Sequence, residues 1–340
     1  MGKITHSIYG GLGNQLFQIF AVIALALKSG HSFFFKYKKM IDDQDTPRHT
    51  YWNSLLSKLK PYTVNMDDES ANVQPDFLSW EKCDIHEPHH EFFEIIPEYI
   101  LPNFVGGSAT GEVSSEEATR SVCPLPSDQE QISSNRIYEL HGYYQSYKYF
   151  ENEFNQICDM IGIYDQRQIV RDRVEQTTRI ATVAMHFRLG DYKGLQHIHP
   201  IMPFEYYRNS LQFILNKLNK EEVSIMIFCD KDDIHEVNDT VISRLLTLFP
   251  KCEFEYANKD MLEWEHMLLM SLSPCIIMAN STFSMWSALL NTNPDRIVCY
   301  TWHWFTDLFD RNVKDMFLPH WHKIGYVVRV NDGEKYKYKV

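Results

Sequence analysis

The stretch IATVAMHFRLGDY, residues 180–192, decides the fold of this chain. Its first six residues are apolar or β-branched, and they predict a buried strand. In open α/β sheets, ligands bind just beyond the C-terminal ends of such strands. His186, Arg188, Gly190 and Asp191 follow here; the arginine can bind a phosphate through a planar fork of donors, and the aspartate can orient it or accept a proton. The pattern indicates an anionic nucleotide-sugar site, and a surface turn closed by an ion pair between Arg188 and Asp191 is the alternative.

Strands and helices alternate along the chain from about residue 180 to about residue 300. Such an order predicts a parallel sheet with helices on both faces. Earlier in the chain, the pattern predicts a strand at 137–142 and an amphipathic helix at 150–161. From residue 180 onward we expect strands at 180–186, 223–229, 252–256, 275–279 and 296–300, and helices at 203–219, 238–248, 261–272 and 284–291.

A glycine-rich segment near the N-terminus, GGLGNQ at 10–15, separates a predicted strand at 4–9 from an apolar helix at 16–27. A glycine loop before a helix presents backbone N–H groups to an anion. The segment departs from the dinucleotide-binding fingerprint, because Leu16 replaces the third glycine and the next strand, near 33–36, lacks an acidic residue for a ribose. The segment therefore disfavours an NAD- or FAD-dependent enzyme.

A third polar segment, NSTFS at 280–284, connects the predicted strand at 275–279 to the helix after it. Three hydroxyls and an amide at such a turn can cap the helix by accepting hydrogen bonds from its first N–H groups. They can equally hold phosphate oxygens. Both roles stay open on the sequence.

These three segments, in this order, resemble the α-1,2-fucosyltransferase family, which carries a GGLGNQ-type loop, an HxRxGDY motif and an NSTFS-type loop. Two further segments are similar to that family: HGYYQS at 141–146 and, with an altered centre, FCDKDDI at 228–234. The resemblance extends from about residue 4 to about residue 305.

The resemblance implies an α/β, GT-B-like fold in which two Rossmann-like lobes face a central cleft. We expect an acceptor-side lobe at 1–175, a lobe that binds GDP-L-fucose at 176–302, and a tail at 303–340 that packs on the lobes. Within the first lobe, the Pro-, Ser- and acid-rich region 66–131 contains a predicted exposed loop at 106–115.

The family's reaction supplies the expected activity: L-fucose moves from GDP-L-fucose to the 2-hydroxyl of a galactoside, with inversion and without a metal or other cofactor. By this resemblance Arg188 stabilises the charge that develops on the leaving diphosphate, and His186 and Asp191 complete the catalytic group. The general base is left open between Asp191 and an unidentified carboxylate. The residues expected to bind the donor and its phosphates are Gly11, Gly13, Asn14, Gln15, Asn280, Ser281, Thr282 and Phe283.

Several other interpretations compete with this one. The D-x-D at 230–232 can bind Mn²⁺ or Mg²⁺ in a metal-dependent glycosyltransferase, although a solvated turn is the commoner role and we assign no metal. HEPHHE at 86–91 is interpreted as a loop rather than a metal cluster, because Pro88 interrupts any helix. The aromatic run at 302–305 can stack on a guanine or a sugar, or pack in the core. A different acceptor or linkage, and a non-catalytic carbohydrate-binding protein, are further alternatives.

Composition and charge narrow the classes of partner and compartment. The chain has 340 residues, of which 44% are hydrophobic, enough for a full core. Its net charge of -12 disfavours a nucleic-acid partner. The longest apolar run, 19–27, is too short to cross a bilayer, and the seven scattered cysteines are typical of a reduced protein. We therefore expect a soluble cytoplasmic enzyme without a membrane span, whose oligomeric state the sequence leaves open.

Overall fold

The computed structural model divides the chain into two compact units, each of the α/β class. Unit 1 comprises Met1–Tyr164 and Asn312–Phe317, and unit 2 comprises Asp165–Arg311 and Leu318–Val340. The residues that the structure describes are 2–41, 47–65, 80–87, 92, 135–306 and 313–327. Each unit carries a parallel sheet with helices, so the predicted α/β class is confirmed. The predicted loop at 106–115 lies outside the described residues.

Within its described residues, unit 1 combines a four-stranded parallel sheet with one long helix. Its elements are β1 (Lys3–His6), α1 (Leu12–Ser29), β2 (Ser32–Phe33), β3 (Phe35–Tyr37), β4 (Met40–Ile41), β5 (Arg48–His49), β6 (Thr63–Asn65), β7 (Glu81–His86), β8 (Arg136–His141) and α2 (Phe154–Ile161). The main sheet has the order β2-β1-β8-β7 and is parallel throughout. The other described strands of unit 1 form two small sheets, β3-β6 and β4-β5.

Helix α1 is the buried core of unit 1. Among the described helices it alone is long and apolar enough to cross a membrane, yet 83% of its 18-residue apolar window is buried inside the unit. A helix that is apolar on all sides belongs in such a core. It ends at Gly30, whose φ of +70° forms a left-handed cap.

Helix α1 begins at Leu12, earlier than the predicted residue 16. Gly11 is extended and occupies the N-cap position, so the helical hydrogen bonds start directly after it. Gly13, Asn14 and Gln15 therefore lie in the first turn of the helix and not in a loop. The glycine segment is shorter than the sequence pattern predicted.

The described part of unit 2 carries a six-stranded sheet in which every pair of neighbouring strands is parallel. Its elements are α3 (Ile163–Glu175), β9 (Val183–His186), α4 (Phe204–Leu218), β10 (Ser224–Phe228), α5 (Ile234–Val237), α6 (Ser243–Leu248), β11 (Glu253–Tyr256), α7 (Glu263–Met270), β12 (Cys275–Ile277), α8 (Thr282–Leu289), β13 (Ile297–Thr301) and β14 (His322–Ile324). The strand order is β11-β10-β9-β12-β13-β14. Counted from β9, this is the doubly wound order 3-2-1-4-5-6 of nucleotide-binding folds. Every strand predicted between 180 and 300 is confirmed.

Several other helix starts differ from the prediction by two or more residues. The helical region predicted at 238–248 begins at Ile234 and contains a π turn over Asn238–Ile242, which inserts an extra residue into the helix. The helix predicted at 284–291 begins at Thr282, because Ser281 caps it. The helix predicted at 150–161 begins at Phe154, after a 3₁₀ turn.

The two units divide at Tyr164 rather than near the expected residue 175, because α3 is bound to unit 2. Arg167 on α3 donates to the carbonyl of Leu290 and, at 3.1 Å, to the hydroxyl of Thr292. Arg173 pairs with Glu265 at 2.7 Å. These contacts fix most of the helix against unit 2.

The tail after residue 302 divides between the units. In unit 1, the backbone carbonyl of Asp315 accepts a hydrogen bond from the Ser146 hydroxyl at 2.8 Å, and its carboxylate pairs with Lys148. In unit 2, β14 extends the sheet beside β13, and Ile324 is buried there. The sequence did not predict β14, which has only three residues and no alternation to mark it.

Candidate functional site

The sheet of unit 2 has its topological switch point between β9 and β12. These strands are parallel neighbours, with Val183 opposite Cys275 and Met185 opposite Ile277. The chain continues from β9 to β10 on one side and from β12 to β13 on the other. In doubly wound folds such a point opens a crevice at the C-terminal ends of the strands, where ligands bind. The HFRLGDY segment follows β9 and NSTFS follows β12, so the fold brings these two predicted donor segments to one crevice.

Arg188 lies at this crevice and is oriented by acidic side chains. Its Nη2 donates to Asp191 Oδ1 at 2.6 Å, and its Nη1 lies 3.5 Å from Asp230 Oδ2. The guanidinium carbon is 5.4 Å from the centre of the Tyr192 ring. The ion pair that the sequence offered as an alternative therefore forms. It leaves 25% of the Arg188 side chain exposed, so the pair holds the guanidinium in place without enclosing it.

The turn after Arg188 is fixed from the neighbouring strand. Gly190 has a φ of +31°, and a Cβ there would lie 3.1 Å from Asp230 Oδ2. The N–H of Gly190 donates to Asp233 Oδ2 at 2.8 Å, and Lys193 donates to Asp233 Oδ1 at 2.8 Å. Asp233 is buried and belongs to the segment after β10. Sequence analysis did not assign it, because only the pairing of β9 with β10 brings it to this turn.

His186 closes β9 and is buried in the crevice wall. Burial is the main cause that lowers the pKa of its imidazole to about 3, and the nearby Arg188 and His266 act in the same direction. The ring is therefore neutral at physiological pH. Within the described part of the chain, its Nδ1 is buried without a hydrogen-bond partner, and its ring centre lies 5.4 Å from that of Phe283. A neutral imidazole here can hydrogen-bond to a ligand but adds no charge.

The turn after β12 forms the second wall of the crevice. Ser281 occupies the N-cap position of α8, and its hydroxyl accepts a hydrogen bond from the N–H of Phe283 at 3.3 Å. The helix-cap role weighed for this segment is thus realised by Ser281. Thr282 is the first residue of α8 and is partly exposed. The first turn of α8 lies at the edge where the helix would stabilise an anion.

Asn280 and Tyr192 join the two walls. Asn280 Nδ2 donates to the carbonyls of Pro200 at 2.9 Å and of Trp304 at 3.2 Å. The hydroxyl of Tyr192 donates to the carbonyl of Asn280 at 3.0 Å, and its ring stacks on His199 at 4.6 Å. The side-chain nitrogen of Asn280 therefore holds loops together, although the sequence placed this residue with the phosphate-binding group. Tyr192 belongs to the HxRxGDY motif, and the sequence alone predicted no role for it.

The polar residues of the N-terminal glycine segment lie in unit 1 and bind their own surroundings. Gln15 Nε2 donates to the carbonyls of Gly10 at 2.9 Å and of His49 at 2.8 Å. Asn14 Oδ1 accepts from Gln145 at 2.8 Å, which connects the GGLGNQ and HGYYQS segments. Gly11 has open space around its α-carbon. Gln15 is buried and has a structural role in this geometry, whereas Asn14 is partly exposed.

A cavity of about 370 Å³ opens beside Gly190, at the C-terminal ends of β10 and β11. The D-x-D residues Asp230 and Asp232 line it, together with Tyr256 and His266, which sequence analysis did not single out. The first carboxylate of this D-x-D lies next to the Arg188 guanidinium. The cavity adjoins the crevice and is large enough for part of a nucleotide.

Two other candidate segments are HEPHHE at 86–91 and the aromatic run at 302–305. His86 stacks on His141 at 4.6 Å, and residues 88–91 of the HEPHHE segment lie outside the described residues. In the aromatic run, Trp304 is buried and Phe305 packs against His199 at 5.2 Å. Core packing is the role that these contacts show.

Comparison with known proteins relates the chain to glycosyltransferases. The model of glycosyl transferase family 11 matches residues 126–325, more than half of its length. The chain is 26% identical, over 87% of its length and 93% of the relative's, to the O-antigen biosynthesis glycosyltransferase WbnK of Escherichia coli.

Solved structures show a weaker likeness. POFUT1 in complex with GDP is 13% identical, with 87% of this chain and 97% of that chain covered and a TM-score of 0.45. NodZ alpha-1,6-fucosyltransferase crystallised with GDP is 9% identical, with 85% and 93% covered and a TM-score of 0.40.

The family match covers the HFRLGDY and NSTFS segments that meet at the switch point of unit 2. The resemblance to α-1,2-fucosyltransferases, which belong to family 11, is thereby confirmed. The chain is a glycosyltransferase and belongs to glycosyl transferase family 11.

Proposed function

We propose that this glycosyltransferase moves L-fucose from GDP-L-fucose to the 2-hydroxyl of a galactoside, with inversion and without a metal. The observation that carries the proposal is the meeting of Arg188 with the Ser281–Thr282 turn at one crevice of a nucleotide-binding sheet. In the reaction the bond between the anomeric carbon and the β-phosphate oxygen breaks, a bond to the acceptor oxygen forms, and the acceptor loses a proton. The products are the fucoside, GDP and a proton.

The main task of the site is to stabilise the negative charge that develops on the departing diphosphate. Arg188 is held by Asp191 at 2.6 Å, so its remaining donors are oriented before the substrate arrives. A preorganised donor of this kind is worth about 3–4 kcal/mol of transition-state stabilisation. The Thr282 hydroxyl and the first N–H groups of α8 add neutral donors to the same phosphates. Asp191 is thus assigned to orienting Arg188 rather than to taking the acceptor's proton.

The metal-free mechanism rests on the surroundings of Asp230. Its carboxylate lies 3.5 Å from a nitrogen of Arg188, so a permanent cation already neutralises the position where a D-x-D would hold Mn²⁺. The protein's own guanidinium can supply the positive charge that a metal supplies elsewhere. The outcome with a chelator tests this assignment directly.

The acceptor and the compartment complete the proposal. A relative of this chain is named for O-antigen biosynthesis, which supports a glycan acceptor rather than a small alcohol. The six cysteines in the described part of the chain are free thiols, which supports a reducing, cytosolic environment. The negative net charge of -12 argues against nucleic acid as a partner.

The test is GDP release from GDP-L-fucose with a panel of galactosides, in buffer containing EDTA. We expect turnover with a β-galactoside, and we expect Arg188→Ala to lose that turnover. NMR of the product should show an α-fucoside linked to the 2-hydroxyl of the galactoside. Arg179→Ala is the matched control, because Arg179 pairs with Glu253 at the opposite end of the same sheet.

Other outcomes identify the competing functions. Turnover that EDTA abolishes and Mn²⁺ restores would establish a metal-dependent enzyme centred on Asp230 and Asp232. Tight GDP-L-fucose binding with no turnover on any galactoside would indicate another acceptor or a carbohydrate-binding protein. A different linkage in the product would overturn the assignment to the 2-hydroxyl alone.

A further inference from the structure

Strands β7 and β8 of unit 1 present a compact set of polar side chains on one face. The register places Asp84 opposite Glu139 and His86 opposite His141. Residues two apart in a strand point to the same face, so these four side chains form two adjacent cross-strand pairs. We call Asp84, His86, Glu139 and His141 the β7–β8 cluster. It lies toward the C-terminal ends of the strands, which is the ligand-binding edge of a parallel sheet.

The members of the β7–β8 cluster converge. Nε2 of His141 donates a hydrogen bond to Oδ1 of Asp84 at 2.8 Å, which leaves Nδ1 of the same ring for another partner. One ligand atom each from Asp84, Glu139 and His141 lies within 4.8 Å of the others. The rings of His86 and His141 stack at 4.6 Å with 15° between their planes. Groups at this spacing can all reach one oxygen, or two neighbouring oxygens, placed between them.

Glu139 is the buried centre of the cluster. Its Oε1 accepts hydrogen bonds from Ser7 at 2.8 Å and from Lys36 at 2.9 Å. Burial alone would raise the pKa of Glu139, but the hydrogen bonds from Lys36 and Ser7 outweigh it, so the pKa is lowered and the group is ionised at neutral pH. Thr5 lies next to Glu139 on the same face, and its hydroxyl is buried without a partner among the described residues. The Thr5 hydroxyl, beside the cluster, is therefore a polar group whose hydrogen bond no described residue supplies.

We propose that the β7–β8 cluster binds neighbouring hydroxyl groups of the acceptor sugar. This inference rests on the proposed function, since it names where the galactoside is held. The carboxylates of Asp84 and Glu139 accept hydrogen bonds from sugar hydroxyls, and Nδ1 of His141 forms a hydrogen bond with another. Lys36, which donates to Glu139 and to Ser7, has a third N–H to offer beside them. The stacked imidazoles offer a flat surface to the C–H face of a pyranose.

The charge of the surroundings favours a polyol over a metal ion. Lys36 already occupies one oxygen of Glu139 at 2.9 Å, and its ammonium would repel a divalent cation at that carboxylate. A neutral sugar meets no such penalty, and it uses donors and acceptors together. The mixture of two carboxylates, an imidazole, a hydroxyl and an ammonium therefore fits a polyhydroxylated ligand better than a metal.

The experiment measures steady-state kinetics of Asp84→Asn and Glu139→Gln with GDP-L-fucose and the preferred galactoside. We expect each variant to raise the KM for the galactoside by roughly 10-fold to 100-fold, because each loses a hydrogen bond to a charged group. The KM for GDP-L-fucose, and the slow release of GDP without acceptor, stay at the wild-type values. Glu81→Gln is the matched control: Glu81 pairs with Arg136 across the same two strands, but on the other face.

An unchanged galactoside KM in both folded variants overturns the inference, and the urea midpoint of each variant establishes that it is folded. Zinc or manganese retained by the wild type after dialysis, and lost in Asp84→Asn, also overturns it in favour of a metal site. If the wild type shows no fucosyl transfer, the proposed function fails separately. Saturation-transfer NMR with methyl β-galactoside then decides: binding that Asp84→Asn removes supports the site, and no binding by the wild type overturns it.

Discussion

His6 and His186 occupy corresponding places in the two units, but of the two only His6 forms a hydrogen bond to a described residue through its ring. Each is the last residue of a central strand and is followed by a glycine-bearing turn. Nε2 of His6 donates to the carbonyl of Gly142 at 2.9 Å. Neither ring nitrogen of His186 bonds to a described residue, although its Nδ1 is as buried as that of His6.

The surrounding turns repeat this contrast. After β1, Gln18 bonds both the N–H and the carbonyl of Tyr9 at 3.0 Å, and Gln15 bonds two further carbonyls. After β9, Arg188 is oriented but a quarter exposed. Buried polar groups without partners are costly and tend to persist where function needs them. The unit 1 turn thus serves structure, whereas the unit 2 turn holds polar groups ready for a ligand.

The strongest test of the contrast is Arg188→Lys. Lysine keeps the charge but loses the planar fork that Asp191 orients, so we expect kcat to fall by about 10²–10³-fold. Thermal stability should change little, because the side chain is partly exposed. Arg179→Lys provides the control, and a kcat equal to wild type in Arg188→Lys would remove this arginine from the mechanism.

Acid should weaken both units through their strand-end histidines. Burial lowers the pKa of His6 to about 4 and that of His186 to about 3, while an unfolded histidine titrates near 6.5. Below pH 6.5 the unfolded chain therefore gains protons that the folded chain does not, so stability present above that pH is lost as the pH falls. Each group contributes up to about 1.4 kcal/mol per pH unit in that window.

Urea denaturation at pH 7, 6 and 5 measures this effect. The wild-type midpoints should fall with pH, and His6→Gln and His186→Gln should each show a flatter dependence. Midpoints in His6→Gln and His186→Gln that decline as steeply as those of the wild type would show that other groups govern acid unfolding.

Replacing each histidine by leucine separates structure from ligand binding. His6→Leu leaves the Gly142 carbonyl without its donor, so we expect a loss of about 1–3 kcal/mol in unfolding free energy and an unchanged KM for GDP-L-fucose. His186→Leu removes no hydrogen bond to a described residue, so stability is kept, while the donor KM rises about 10-fold. The opposite pattern would reverse the roles assigned to the two units.

The smallest effect concerns the bond that joins the two walls of the crevice. Tyr192→Phe removes the hydroxyl that donates to the Asn280 carbonyl at 3.0 Å, and we expect kcat to fall about 5-fold, equivalent to roughly 1 kcal/mol. Tyr206→Phe is a suitable control, because that hydroxyl donates to the nearby Met278 carbonyl at 2.6 Å. It should lower stability without lowering kcat, and equal kinetic effects in both variants would indicate a general packing defect.

Much of unit 2 was predictable because buried parallel strands appear as short apolar runs between helices. The positions of Arg188 and Ser281 at the switch point followed from that alternation. Partners from other strands were not predictable: Asp233 reaches Gly190 only through the register of β9 and β10, and the bond from Gln15 to His49 joins distant segments. The local pattern of apolar residues predicts the helix or strand. The hydrogen-bond partner of a polar side chain depends on the tertiary fold.

The divided tail bears on how the chain folds during synthesis. Residues near Asp315 complete unit 1 by bonding Ser146 and Lys148, although they are made after most of unit 2. Strand β14, the last one among the described residues, then pairs with β13 in the sheet of unit 2. Neither unit is a continuous length of polypeptide, so a nascent chain stalled near residue 300 would leave both units incomplete on the ribosome. Expression of either half alone should therefore yield material that is sensitive to proteolysis, and co-expression of a fragment carrying the tail should be needed to protect it.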